Sequence, residues 1–506
     1  MAVRGRQSYR HRGGLVTEET WRWSASRTAR AIRDKEVTAV EVVRASLDRL
    51  HATQPVSNAF GYIADDALQH AEHADAAIAK KEPLGPLHGV PVAFKLNTHI
   101  KDQPTTNGVS DYLGGSADET APVVTNMLNA GAISLGRTNV PQFSLRWCTE
   151  SPHWGRTYNP WDSNVTAGGS SGGAAVAVAT GAVALAQGND FAGSIRYPAS
   201  VCGIVGLRPT VGRVPTWHSS ANVGVAMSIQ QMSVEGPLAR TVEDLRLALR
   251  VMQAPDPRDP NAVALASDRR ADYAPARRVA LVVDAGQGPF AGAGRPETIE
   301  AVRTAGQWLS AAGYEVEEVS LPALGDAATL WNKIALTELG VGGFVEEMQR
   351  VADKDILQFL GSWSVVAQEE FGEVGLAEFV AALAERHLVR RRISEFMAEF
   401  PLLVLPNSSE PAFGHGADIG SLDRVREILA NQWPSFAVPV LGLPAVALPA
   451  TAAPDAAPLG VQIVGRSFEE ESVFEAAEVI EQRSGIITPI DPVRDHQNAP
   501  ATSAAQ

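Results

Sequence analysis

Short apolar segments and longer amphipathic ones take turns along this chain from Gly89 onward. Gly89-Val-Pro-Val-Ala-Phe94 reads as a strand that delivers Lys95, Ala121 to Asn129 as a helix, and Ala132 to Leu135 as a buried strand. The pattern continues through Ala174 to Thr180, Val183 to Ala186, Val242 to Met252, Val279 to Val283, Glu297 to Ala312 and Tyr314 to Val319. Leu402 to Leu405, Val446 to Leu448 and Val461 to Val464 supply later strands. Apolar runs without polar alternation belong to strands buried on both faces, so the expected class is α/β, a large mixed sheet covered on both faces by helices. Ahead of it, Thr38 and Glu41 form a capping box before the stripe Val40, Val43, Leu47 and Leu50, and Asp65 to Lys81 continues as helix. The class does not change across the polar, Pro-containing stretch Pro255 to Pro275, the best linker candidate. One domain over 15–490 is expected, between a basic tail at 1–14 and a flexible tail at 491–506.

Charge narrows the partners. With 43 Lys and Arg against 57 Asp and Glu, the 506-residue chain carries a formal charge of −14. Such a surface repels phosphate backbones and anionic membranes, so neither nucleic acid nor membrane is expected. The tail holds Arg4, Arg6, Arg10 and Arg12 but no apolar stretch of the kind a secretory signal needs. Two uncharged runs, Ser163 to Asn189 and Ile428 to Pro454, mimic membrane spans. The first is built of Gly, Ala and Ser, and Pro434, Pro439, Pro444, Pro449 and Pro454 forbid a continuous helix in the second. Cys148 and Cys202 have no CxxC spacing, which excludes a disulfide framework or thiolate metal site and points to a reducing, cytoplasmic setting.

The densest chemical signal is Gly168-Gly-Ser-Ser-Gly-Gly173, followed by the apolar Ala174-Ala-Val-Ala-Val-Ala179 and a second turn, Asp190-Phe-Ala-Gly-Ser-Ile-Arg196. Glycines let backbone amides approach a ligand closely, the raw material of an oxyanion site. A flexible linker would not be followed by an apolar helix and another glycine-bearing serine turn.

With Gly89-Val-Pro-Val-Ala-Phe-Lys95, Thr138-Asn-Val-Pro141, Asn159-Pro-Trp161, Gly193-Ser-Ile-Arg196 and Cys202-Gly-Ile-Val-Gly-Leu-Arg-Pro209, the chain resembles the amidase signature family from about Thr38 to Gln482. Spacings of 75 residues from Lys95 to Ser170 and 24 from Ser170 to Ser194 agree with that family's pattern. The resemblance implies Lys95 as base, Ser170 as bridging serine with a cis peptide bond, and Ser194 as nucleophile. It also implies an oxyanion hole from the amides of Phe191, Ala192, Gly193 and Ser194.

The chemistry stands without the name. A serine hydroxyl needs a base within hydrogen-bond reach, and lysine serves only as the neutral amine. Desolvation favours that form, and Val90, Val92, Phe94 and Leu96 supply a dry setting. Ser170 can accept on one side and donate on the other, relaying the proton of Ser194 to Lys95. Asp190 and Arg196 are expected to brace the turn. Three positions depart from the family pattern: Leu96 stands where aspartate is usual, Asn189 where threonine is usual, and Ala192 puts a methyl into the tight turn.

The expected reaction is hydrolysis of a small, apolar acyl or aryl amide by water through a serine acyl-enzyme, with no cofactor or metal. The alternatives are carbamate or ester cleavage by the same triad, or a role as the A component of a tRNA-dependent amidotransferase; a non-catalytic role is opposed by the presence of all three triad residue types. The self-assembly expected, if any, is a homodimer. Ser144, Trp147, Trp154 and Trp331 are the candidates for the pocket wall.

Rival motifs are weaker. Gly168-Gly-Ser-Ser-Gly172 matches a nucleophile elbow with Ser170 attacking and His415 as base, but Ser163 to Ala167 is a poor strand. Gly286-Gln-Gly288 imitates a dinucleotide fingerprint, yet its helix starts only near Pro296. His70 and His73 lack a third ligand. Arg386, His387, Arg390, Arg391 and Arg392 read as a salt-bridged helix face.

Overall fold

The computed structural model describes residues 19–217, 225–265, 276–341, 343–451 and 456–493. The tail expected at 1–14 lies outside them. An 11-stranded sheet dominates. In chain order the strands are β1 (Phe60–Ile63), β2 (Pro91–Lys95), β3 (Ile133–Thr138), a separate two-stranded hairpin of β4 (Glu150–Ser151) and β5 (Gly155–Arg156), then β6 (Leu185–Asp190), β7 (Val205–Arg208) and β8 (Val234–Ala239). There follow β9 (Arg278–Leu281), β10 (Glu315–Glu318), β11 (Leu402–Pro406), β12 (Ala445–Thr451) and β13 (Leu459–Gly465). Their spatial order is β1-β3-β2-β6-β8-β7-β12-β13-β11-β9-β10. Pairs β2–β3, β2–β6, β9–β10 and β9–β11 are parallel and the others antiparallel, so the sheet is mixed, as its apolar strands imply.

Side chains alternate between two cores. Val92, Phe94, Val279, Leu402, Val404, Val446 and Leu448 face one side, where the helices Pro122–Asn129, Val242–Met252, Pro296–Ala311 and Glu470–Ser484 pack. Ala93, Ala280, Leu403, Leu405, Ala445 and Ala447 face the other, under the helices Gly172–Ala179, Ala323–Leu339, Leu376–Glu399 and Trp433–Leu441. Period-2 alternation with both faces apolar is what makes these strands read as unbroken hydrophobic runs.

The supposed spans dissolve into ordinary elements. Ser163 to Asn189 becomes an eight-residue helix and β6. The described part of the second, Ile428 to Thr451, divides at Gln432 and Gly442 into two helices and β12. Among the described residues no helix is long and apolar enough to cross a membrane. Ser163 to Ala167 forms only isolated bridges, so no strand leads into Gly168 as an elbow requires. The loop after Gly286 delays its helix to Pro296.

Two expectations change. Asp491 and Val493, placed in a flexible tail, are tied down: Asp491 pairs with Arg49 at 2.6 Å and the Val493 amide donates to Pro160 O at 3.0 Å. The arginine cluster is only partly a salt-bridged face. Arg386 is buried and donates to Val440 O, while Arg390 donates to Leu441 O, because the last carbonyls of the helix Trp433–Leu441 have no helical partner.

Candidate active site

Lys95 ends β2 with its side chain fully buried, its Nζ lying 2.7 Å from Ser170 Oγ and 2.6 Å from Asn189 Oδ1. The Gly169–Ser170 peptide bond is cis. Ser170 stands just ahead of the helix Gly172–Ala179, whose entry is too crowded for side chains. A Cβ on Gly173 would stand 2.6 Å from Ala59 O and from the Asn139 backbone. Ser194 follows β6, is 8% exposed, and its carbonyl accepts the Ser171 amide at 3.2 Å, which fastens the two serine turns together. Among the described residues Ser194 Oγ has no hydrogen bond to Ser170 Oγ. Catalytic hydrogen bonds often tighten only when substrate is bound.

Burial pushes Lys95 down to about 7, against the raising effect of Glu235 and Asp190. The neutral amine can keep an N–H on Asn189 Oδ1 and turn its lone pair to the Ser170 hydroxyl. Burial pushes Glu235 up to about 7, opposed by its hydrogen bond from Gln187 Nε2 and by Lys95. Gln187 Oε1 in turn accepts the Lys95 backbone amide at 3.0 Å and Thr98 Oγ1 at 3.1 Å. Asn189 and Glu235 stand opposite each other in the β6–β8 register. Sequence reading missed Gln187, Asn189 and Glu235. The signal was there: polar residues two apart, on one face of the strand Leu185–Asp190, and one charge inside Val234–Ala239.

The turn after β6 is built around Asp190. Its buried carboxylate accepts Arg196 Nε and Nη2, each at 3.0 Å, and the amides of Gly193 at 2.9 Å and Ile195 at 3.2 Å. Burial alone would raise Asp190, but Arg196, and after it Arg208, hold it at about 2. Arg196 also reaches Pro434 O at 2.9 Å and Ser435 O at 3.0 Å. Ser435 O is the carbonyl left without a helical donor by Pro439, four residues on, so a proline in the sequence becomes a docking point for the serine turn. Gly193, at φ 85°, lies against that helix, and a Cβ there would collide with Ser435 Oγ.

Three successive carbonyls of the turn are held by side chains: Asp190 O by Arg208 Nη1 at 2.7 Å, Phe191 O by Trp331 Nε1 at 3.0 Å, and Ala192 O by Trp147 Nε1 at 2.9 Å. Gly193 N–H, expected to serve the oxyanion, is committed to Asp190. The amides of Phe191, Ala192 and Ser194 carry no hydrogen bond among the described residues.

The pocket expectations fare unevenly. Trp147 and Trp331 are 3% and 2% exposed and pack with Trp363 and Phe436, with their N–H groups turned to the carbonyls of the serine turn. Trp154 is half-buried and donates to Thr106 Oγ1 at 3.4 Å. Ser144 Oγ accepts from Asn97 Nδ2 at 3.0 Å, and Asn97 Oδ1 accepts Asn189 Nδ2 at 3.1 Å, which wires Ser144 towards Lys95. His415 Nε2 donates to Ser163 O at 2.9 Å and is absent from the hydrogen bonds around Ser170. His70 and His73 are exposed, and no group of three His, Cys, Asp or Glu gathers among the described residues.

Comparison with known proteins gives the family. The Amidase family model matches residues 41–474. An indoleacetamide hydrolase of Bradyrhizobium diazoefficiens is 37% identical over 92% of this chain and 87% of that protein. The A component of a glutamyl-tRNA(Gln) amidotransferase, from Synechococcus sp., is 32% identical over 90% of this chain and 96% of that protein. The crystal structure of a bacterial aryl acylamidase of the amidase signature family superposes with a TM-score of 0.76, at 26% identity, covering 92% of this chain and 97% of that one. The chain therefore belongs to the Amidase family, and is an amide hydrolase.

Proposed function

We propose that this protein hydrolyses the C–N bond of a small, uncharged aryl or arylacetyl amide through an acyl-enzyme on Ser194. Neutral Lys95 takes the proton of Ser170 as Ser170 takes that of Ser194. The Ser194 Oγ–carbon bond forms, and the carbonyl electron pair moves onto oxygen, opposite the free amides of Phe191 and Ala192. Collapse breaks the C–N bond, and the proton returns through Ser170 to the departing nitrogen. Water then repeats the attack on the ester and frees Ser194. The observation that carries this reading is the fully buried Lys95 amine, held near neutrality 2.7 Å from Ser170 Oγ. The likeness to an indoleacetamide hydrolase and an aryl acylamidase supports the substrate class. The unit is proposed to act in the cytoplasm, a setting suited to two free, buried cysteines.

The test is ammonia or amine release by the purified chain alone from indoleacetamide, phenylacetamide and acetanilide. Turnover without a partner is expected. Strict dependence on added amidotransferase components, or cleavage of carbamates and esters alone, would refute it.

Glu235 offers an independent check on the base. Its negative charge holds the Lys95 proton, so Glu235→Gln is expected to move the acidic limb of the kcat/KM profile to lower pH. A shift to higher pH would contradict the pairing.

A further inference from the structure

Trp331 and Trp147 lie 184 residues apart, yet their indole N–H groups end on neighbouring carbonyls, Phe191 O and Ala192 O. A trans peptide unit is planar, so its N–H points opposite its C=O. Fixing Phe191 O on Trp331 therefore fixes the direction of the Ala192 N–H. Fixing Ala192 O on Trp147 fixes the next plane, whose N–H ends on Asp190 Oδ1 at 2.9 Å. The 192–193 peptide is thus held at both ends. The 191–192 peptide is held at its carbonyl alone, with its N–H unspent among the described residues. The rings doing this cannot swing. Trp331 stacks on Trp363 at 11° and meets Phe436 and Phe191 at centroid distances of 4.8 Å. Trp147 packs against Trp363, Phe359 and Phe436.

We infer that Trp331 and Trp147 are positioning residues for the reaction, acting through hydrogen bonds to two peptide planes that aim the Ala192 amide at the developing oxyanion. This inference rests on the reading of Ser194 as nucleophile. It also accounts for a methyl at residue 192: the direction of this amide is set by a carbonyl clamp, so the turn does not depend on glycine's freedom there. Preorganised donors act on the transition state more than on bound substrate, so loosening them lowers kcat and leaves KM nearly alone.

The test replaces Trp331 by β-(3-benzothienyl)alanine, which keeps the fused rings and puts sulfur where the N–H was, and by phenylalanine in a second variant. Misaligning one oxyanion donor should lower kcat and the rate of acyl-enzyme formation about 10- to 100-fold, with KM within about twofold. Trp147→Phe should act in the same direction. The control is Trp161→Phe, which removes an indole bond to Cys202 O of 2.9 Å outside this aromatic cluster. It is expected to lower the melting temperature and leave kcat unchanged. Wild-type kcat in the benzothienyl variant, a change confined to KM, or an equal kcat loss in Trp161→Phe would overturn the inference. Ser194→Ala keeps the two readings apart: activity surviving in that variant defeats the nucleophile assignment. An inactive Ser194→Ala beside a fully active benzothienyl variant defeats the positioning role alone.

Discussion

Ser194→Ala is expected to lower kcat/KM for amide hydrolysis by about 10⁴- to 10⁶-fold, the scale on which loss of a catalytic serine is felt. The protein should remain folded. Ser194 Oγ makes no hydrogen bond among the described residues, and the bonds that shape the turn belong to Asp190, Arg196, Arg208 and the two tryptophans. Removing the hydroxyl therefore leaves the oxyanion amides in place and removes only the attacking oxygen. An unchanged melting curve with activity lost is the expected pair of results. Retained activity would move the nucleophile elsewhere.

The second large effect is expected from Lys95→Met, which removes the base and keeps an unbranched side chain in the apolar slot. A positioned base contributes about 10²–10⁴-fold, and a member of a tightly coupled set falls at the upper end. The pH profile gives the sharper reading. Burial lowers the amine to about 7, so below that value the lysine is protonated and has no lone pair for Ser170. The wild-type rate should therefore fall about tenfold per unit as pH drops below about 7, and level off above it. In Lys95→Met the residual rate should be flat across that range. A variant that kept the wild-type limb would show that some other group titrates.

The parts of this fold that were legible in the sequence are those governed by local period. The helix Val242–Met252 has the expected bounds, and the strands around Val279, Leu403 and Val446 announce themselves as short apolar runs. The spacing of Lys95, Ser170 and Ser194 was equally visible, since Lys95 closes the strand that follows Gly89 and both serines sit in glycine-bearing turns. What stayed hidden depends on which distant segments the sheet sets side by side. Glu235 reaches the lysine's surroundings only because β8 pairs with β6, a neighbour relation that no local pattern encodes. Trp147 and Trp331 have the composition of pocket walls, but the carbonyls they must satisfy lie on another segment, and this draws them inward. Arg386 shows the same thing on a helix. A charge that looks solvent-facing is buried because the end of another helix needs its donors.

The covalent intermediate offers the most direct measurement. Wild-type protein is mixed with a slowly deacylating aryl ester or anilide, quenched in acid during the first turnover, digested, and the acyl mass located by tandem mass spectrometry. The acyl group is expected on the oxygen of Ser194, with Ser170 and Ser171 unmodified. An adduct on Ser170, as an elbow nucleophile would give, or full turnover with no acyl-protein at any time, would contradict the proton path from Ser194 through Ser170 to Lys95.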